Sequence, residues 1–411
     1  VDVKVAGQLK VRAFVGSWVR LGGPPGGLGY DIRMRPAAPD QMVVTDAFTG
    51  TYLSDDGGQF WVAANQGMES APGGGAPIFC ATIDPHDSNI IWAGTQLTGH
   101  LYRSVDGGQT WQERDNGILR IDPDLRSFRG ITIDPNDPSV VYSALELSLS
   151  LESTERLAGW KGSTAGEVYK STDGGLSWNR IWFGPSLARY IWVDPRNSNR
   201  LYVSTGIFDR DAANRDVDNK TYGGVGILRS DDGGQTWTVL NEQNSLGGLY
   251  VPSLFMHPTN PDILLAAVTV NRSFGMDPTI NIGNPGAYVT YDGGTTWTKI
   301  LGDVNAIDAV EIATSDPDIW YAATEDTIFR SDDAGQTWQH FAMVTPDRHA
   351  GVPIDLQVDP RDPYRIFTNN YNGGNMLSTD GGQTWIDASH GYTGLRVHAV
   401  AVVPGTGGRT V

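Results

Sequence analysis

An all-β chain assembled from repeated four-stranded sheets is what three observations predict. The first is a short motif, Ser/Thr-x-Asp-x-Gly-x-Thr-Trp, that recurs seven times. The second is what lies between the copies: short β-branched and aromatic runs broken by Asp-Pro, Asn and Gly turns. The third is composition, with 51 glycines, 23 prolines and only 19% charged residues in a chain of 411. Self-similarity at this period marks one supersecondary unit used again and again. Four short strands per unit, repeated radially, make the blades of a β-propeller.

The copies run Ser54 to Trp61, Ser104 to Trp111, Ser171 to Trp178, Ser230 to Trp237, Thr290 to Trp297, Ser331 to Trp338 and Ser378 to Trp385. Their tryptophans stand roughly forty to seventy residues apart. Each interval has the same order of elements. A first apolar strand ends in Asp-Pro, as in Ile131–Pro135, Ile191–Pro195 and Leu356–Pro360. A second follows a polar turn, as in Val140–Ala144, Leu201–Thr205 and Trp320–Thr324. A third, such as Ile227–Ser230, leads into the motif, and the tryptophan opens the fourth, as in Trp237–Leu240.

The motif itself reads as a hairpin between the third and fourth strands. Its aspartates, Asp56, Asp106, Asp173, Asp232, Asp292, Asp333 and Asp380, accept hydrogen bonds from turn N–H groups, braced by the Ser or Thr hydroxyl. Gly-Gly supplies positive φ, and the tryptophan buries its ring between blades. Ala334 replaces one glycine and Phe60 the threonine, while Asp and Trp stay. Sevenfold repetition assigns these positions to the scaffold and not to chemistry. The turns lack the six or more oxygens that calcium takes.

Seven units are complete, over 29–389. Upstream, Ser17–Gly23 reads as a fourth strand without a motif; downstream, Val397–Pro404 and Arg409–Val411 read as a first strand and a truncated second. Residues 1–28 and 390–411 are therefore expected to close an eighth blade, the whole of 1–411 forming one domain. The alternative is a ring of seven.

The formal net charge of −17 disfavours nonspecific binding to nucleic acid or to an anionic membrane. No apolar run approaches the roughly eighteen residues needed to span a bilayer. The single cysteine, Cys80, lies in an apolar run and is expected as a buried thiol. No cofactor or resident metal is expected. Asp216 and Asp218 hint only weakly at a calcium loop.

Irregularity in the repeat points to function. The link from second to third strand is short in units one, two, six and seven. It is long in unit three (146–166), unit four (208–226) and unit five (271–286). These links leave the ring on the face opposite the motif hairpins, so three adjacent long ones should wall a groove. Candidate ligand-binding residues there are Arg129, Arg189, Asp211, Trp160, Tyr222, Asn369, Asn370 and Tyr371, with Glu146 nearby. Aromatic faces with carboxylates and amides suit a sugar polymer. Each residue alone reads equally as a solvated loop group or a satisfied buried one.

The repeated motif resembles the Asp box, or BNR repeat, over essentially the whole chain. That class includes sialidases, the xyloglucan-cleaving enzymes of glycoside hydrolase family 74, sortilin-type receptors and a photosystem II assembly propeller, so the shared fold leaves function open. Two segments are similar to family 74: Trp18–Tyr30, and Val44–Tyr52, which matches that family's Thr-Asp-Ile-Gly-Gly-Ala-Tyr with Ala47-Phe48-Thr49 in place of Ile-Gly-Gly. The resemblance implies an inverting hydrolysis with Asp46 as general base. The partner acid is left open among Asp31, Asp209 and Asp355. That family uses two facing propellers, and this chain supplies one. A sialidase reading would assemble Arg129, Arg189 and Arg348 with Tyr371 and Glu146, but Arg33–Pro36 is a poor stand-in for its Arg-Ile-Pro element. The resemblance thus implies a secreted or cell-surface protein that meets a polysaccharide or surface glycan, such as xyloglucan. A non-catalytic scaffold that binds a protein partner or glycan is the competing expectation.

Overall fold

The computed structural model describes residues 29–391, apart from 70–75, 120–124, 149–163, 207–214, 217–220, 223–224, 249, 270–283, 303, 305, 346–347, 350 and 372–373. Seven four-stranded antiparallel sheets follow one another along the chain. The inner strands are Gly29–Arg35, Ile78–Ile83, Leu125–Ile133, Ala188–Asp194, Ser253–Met256, Ala309–Ile312 and Val352–Asp359. They line the axis, and the short fourth strands, such as Val62–Ala63 and Gln112–Glu113, form the rim. The all-β, seven-unit reading therefore holds.

The core lies between the blades. Blades 6 and 7 share one cluster around Tyr321, Ile328, Leu356 and Ile366. Blades 4 and 5 share another around Tyr202, Ile227, Leu254 and Leu264. A propeller sheet is apolar on both faces, and each face is buried only by its neighbour.

The motif hairpins behave as their chemistry predicts. In blade 2, Ser104 Oγ donates to Asp106 Oδ1 at 2.7 Å and accepts from Gly108 N at 2.8 Å. Asp106 Oδ1 also accepts from Gln109 N at 3.1 Å and Thr110 N at 2.9 Å, and Oδ2 from Thr110 Oγ1 at 2.5 Å. The turn fixes the tryptophan that follows. Trp111 donates its backbone N–H to Gln66 O at 2.9 Å and its indole N–H to Ala64 O at 2.8 Å, both in the segment leaving blade 1. Trp178 bonds Asn116 O and Arg114 O in the same way. Trp338 and Trp385 instead donate to their own hairpins, at Gly335 O and Gly382 O. The close packing explains the paired glycines: a Cβ on Gly58, at φ +83°, would stand 2.4 Å from the Phe367 ring.

Among the described residues the ring closes with seven blades, the first against the seventh, where an eighth was expected between them. Ile32 N donates to Asp355 Oδ2 at 2.9 Å, joining the inner strands of blades 1 and 7. Trp61 donates to Ala388 O at 2.7 Å through its indole and to His390 O at 2.9 Å through its backbone. Blade 1 thus occupies the place an eighth blade would need. The terminal segments expected to form that blade, 1–28 and 392–411, lie outside the described residues.

Register confirms which face each link leaves from. In blade 1, Gly29 pairs with Asp46 and Asp46 with Gly50 at one end, and Met42 with Ser54 at the other. The second-to-third links therefore emerge opposite the motif hairpins. The link of unit three is narrower than expected, because Glu146 and Gly166 pair within the sheet. Most of the three long links, and with them the expected groove wall, falls outside the described residues.

Two outcomes follow. Ala334 is held at φ 54°, where a Cβ is strained; Ala334→Gly should stabilise by about 0.5 kcal/mol after the entropic cost of glycine, read as a rise in denaturant midpoint. Hydrogen bonds from the motif hold the carboxyls of Asp106, Asp173, Asp232 and Asp333 down at about 2. The unfolded chain binds these protons near the ordinary value of 3.8, so their contribution is present above it and is lost as pH falls through about 2. Equilibrium unfolding from pH 5 down to about 2 should show this loss, and a Ser104→Ala variant should show less of it.

Candidate functional site

The inner strands bring a charged cluster to the axis. Alternate residues of a strand share a face, so Asp31 and Arg33 of blade 1 both face the channel. Arg33 lies between two carboxylates from opposite ends of the sequence. Its Nη2 donates to Asp31 Oδ2 at 3.1 Å and its Nη1 to Asp355 Oδ2. Asp355 Oδ1 also accepts from Tyr190 Oη at 3.0 Å, and Asp31 Oδ2 accepts from Ala81 N at 3.1 Å. Four blades thus meet at one guanidinium and the two carboxylates it bridges. Below this cluster a cavity of about 280 Å³ is lined by Arg33, Tyr190, Ser253, Glu311, Asp355 and Gln357, among others.

Burial sets the electrostatics. Desolvation pushes the Asp31 carboxyl up to about 6, against the pull of Arg33 and with Asp355 adding to the rise. Burial also raises Glu311 well above the usual carboxylate range, although Val358 N donates to it at 2.9 Å. Desolvation alone would lower the Arg33 guanidinium, but Asp31 and Asp355 overcome it and hold the charge in place. The Tyr190 hydroxyl is pushed up, first by burial and then by Asp355.

A second layer covers the channel on the link face. Tyr30 stacks on Phe79 with centroids 3.9 Å apart, and the Arg129 guanidinium sits 4.4 Å over the Phe79 ring. Arg129 is paired with Glu146 through Nε at 2.8 Å and through Nη2. Arg189 donates to Ile354 O at 2.7 Å and lies over the Tyr190 ring. Asn369 donates to Asp31 O at 3.2 Å and Thr45 O at 3.3 Å; Asn370 donates to Gly374 O at 2.9 Å. Tyr371 packs against the aromatic cluster.

Asp46 stands at the end of the second strand of blade 1, on this same face, fully buried at 0% exposure. Its Oδ1 accepts from Phe48 N at 2.9 Å, Thr49 N at 2.8 Å and Thr49 Oγ1 at 2.8 Å. The carboxylate therefore caps the link 47–49 and is fixed in orientation by it.

The structure thus gathers Asp31, Asp355, Arg129, Arg189, Asn369, Asn370 and Tyr371 around the channel mouth. Arg129 and Glu146, which the sialidase reading assigned to different roles, form an ion pair with each other. Asp209, Asp211, Trp160 and Asp218 lie outside the described residues. Asp216 and Tyr222 belong to a two-stranded ribbon, Arg215–Asp216 paired with Thr221–Tyr222. The sequence reading missed Tyr190, Glu311 and Gln357, and weighed Arg33 only as part of a different element. The available signal was period two on the inner strands, in Asp31-x-Arg33 and Asp355-x-Gln357.

Comparison with known proteins fits this architecture. The BNR/Asp-box repeat family matches residues 102–113. The Sortilin-Vps10 family model, described as sortilin, neurotensin receptor 3, matches residues 166–308 and 285–399, together more than half of the chain. The chain belongs to the Sortilin-Vps10 family of Asp-box propellers. Among curated relatives of this Asp-box propeller, xyloglucanase Xgh74A of Acetivibrio thermocellus is 24% identical over 255 residues, covering 54% of this chain and 28% of that protein. Two solved structures share the fold. The GH74 enzyme of Niastella koreensis aligns with TM-score 0.61 at 17% identity, over 90% of this chain and 55% of that one. The GH74 xyloglucanase of Xanthomonas campestris aligns with TM-score 0.62 at 16% identity, over 89% of this chain and 55% of that one. The Asp-box propeller therefore spans little more than half of the solved relatives and about a quarter of the curated one.

The axial cluster carries a prediction of its own. Arg33→Met removes the cation and leaves two carboxylates buried together. It should cost about 3–5 kcal/mol in denaturant unfolding, whereas Tyr190→Phe, which removes one hydrogen bond, should cost about 1–2 kcal/mol.

Proposed function

We propose that this chain is one ring of a secreted or cell-surface protein that processes a β-glucan such as xyloglucan. Polysaccharide lies on the face opposite the Asp boxes, and Asp46 acts there as the base of an inverting hydrolysis. The observation that carries this reading is the placement of Asp46. It stands at the link face, beside the channel mouth, with one oxygen held by three donors from its own link. A carboxylate locked in this way keeps one orientation without an entropic cost at each turnover. The likeness to xyloglucanases supports the substrate class.

The acid comes from elsewhere than the axial cluster. Asp31 and Asp355 share Arg33, and an inverting pair needs roughly 6.5–9.5 Å between carboxyls with a sugar between them. Asp209, whose place lies outside the described residues, or a carboxylate of a second ring, takes that role. The commitment of Asp31 and Asp355 to Arg33 also favours a second reading, in which the ring binds a glycan or a protein without turnover.

Reducing-end release from xyloglucan and other β-glucans tests both, with Asp46→Asn as the comparison. The catalytic reading expects release that falls by about 10²-fold or more in the variant. Equal release by both proteins removes Asp46 from the mechanism. No release with retained binding in an affinity gel leaves the second reading, and neither release nor binding rejects a carbohydrate role for this ring.

A further inference from the structure

On the rim of blade 2, away from the axis, three side chains converge on one point. His100 opens the third strand, Leu101–Ser104, and Glu113 ends the fourth, Gln112–Glu113. Asp115 follows two residues later, so the two carboxylates share a face of the extended chain. One ligand atom from each of His100, Glu113 and Asp115 lies within 4.8 Å of the other two. The His100 Nδ1 stands 3.5 Å from Glu113 Oε2 and 3.6 Å from Asp115 Oδ2.

Those separations are longer than a good N–H···O bond, which runs about 2.7–3.2 Å. They match the edge of a tetrahedron around an ion with bonds of about 2.0–2.2 Å, which is roughly 3.3–3.6 Å. The other ring nitrogen is held as well. His100 Nε2 lies 3.0 Å from Glu69 Oε2. Glu69 is in turn placed by blade 2, its backbone N–H donating to Tyr102 Oη at 3.0 Å. The His100 ring lies over Tyr102, with the planes 24° apart. A carboxylate on one imidazole nitrogen fixes the tautomer and turns the lone pair of the other towards the metal. His100 and Asp115 are mostly buried, while Glu113 is half exposed, so an ion here keeps a solvent-facing side.

We propose that His100, Glu113 and Asp115 bind a divalent ion of the zinc class, with Glu69 orienting the imidazole. One imidazole and two carboxylates suit zinc, while calcium prefers six or more oxygens. This departs from the sequence expectation of no resident metal. The ion would tie the third strand of blade 2 to its fourth, and through Glu69 to the segment leaving blade 1. The site is distinct from the axial cluster, to which none of these residues belongs, although it stands at the link end of blade 2.

The test is zinc titration of chelator-treated protein by calorimetry, with thermal unfolding in parallel and calcium as the comparison ion. Saturable binding of one Zn²⁺ per chain with a rise in Tm is expected, with little response to Ca²⁺. His100→Ala should abolish binding. Glu113→Gln, on a half-exposed side chain, should weaken it, and Glu69→Gln should weaken it about 10–100-fold. No saturable Zn²⁺ binding, or binding unchanged in His100→Ala and Glu113→Gln, overturns the proposal. Calcium binding as tight as zinc overturns the assignment of the imidazole as a ligand.

Discussion

A hydroxyl, a carboxylate and an indole acting in series tie one blade to the next in four of the seven hairpins. The hydroxyl of Ser104 braces Asp106, Asp106 gathers the N–H groups of the turn, and the turn delivers Trp111 to the carbonyls of the preceding blade. Only the last step touches another blade, yet it needs the first two to be in register. Adjacent blades bury their faces against one another, so an error in one hairpin opens two apolar surfaces.

The axis shows the opposite balance of forces. On the rim the motif carboxylates stay wet and gain from hydrogen bonds, which keeps them ionised. At the axis desolvation is the largest influence on Asp31 and Glu311 and drives both towards the neutral form. One guanidinium resists it. Arg33 joins strands from the first and last blades while Tyr190 reaches in from the fourth, so the charge is placed where it also registers the ring. A buried ion pair is weak evidence of net stability. What the cluster does fix is a meeting point: two carboxylates from the first and last blades share one arginine, and Tyr190 bonds one of them.

The sequence made the frame legible and the site much less so. Strand order, the hairpin chemistry and the face of each link follow from local patterns, since turn residues and side-chain alternation act over a few positions. Asp31, Arg129, Arg189 and Asp355 were legible as polar residues on inner strands, but Arg129 with Glu146, or Arg33 between Asp31 and Asp355, is set by closure of the ring. Asp46 shows the limit within a single link: its residue type and neighbours suggested a base, while its three hydrogen bonds to Phe48 and Thr49 emerge only with the folded turn. The eighth blade failed for a related reason. Strand-like runs at the termini carry no information on whether blades 1 and 7 already touch.

That closure has a consequence for how the chain reaches its fold. Trp61 bonds Ala388 and Ile32 bonds Asp355, contacts separated by 327 and 323 positions in sequence. The entropy of closing so long a loop is met only when the last blade arrives, although it grows slowly with length. An open solenoid can stop at any repeat behind a polar cap. A ring has no such resting point, and during synthesis the outer flank of its first blade waits, apolar and unpaired, for the seventh. The two flanks that meet at the seam are therefore buried together or not at all.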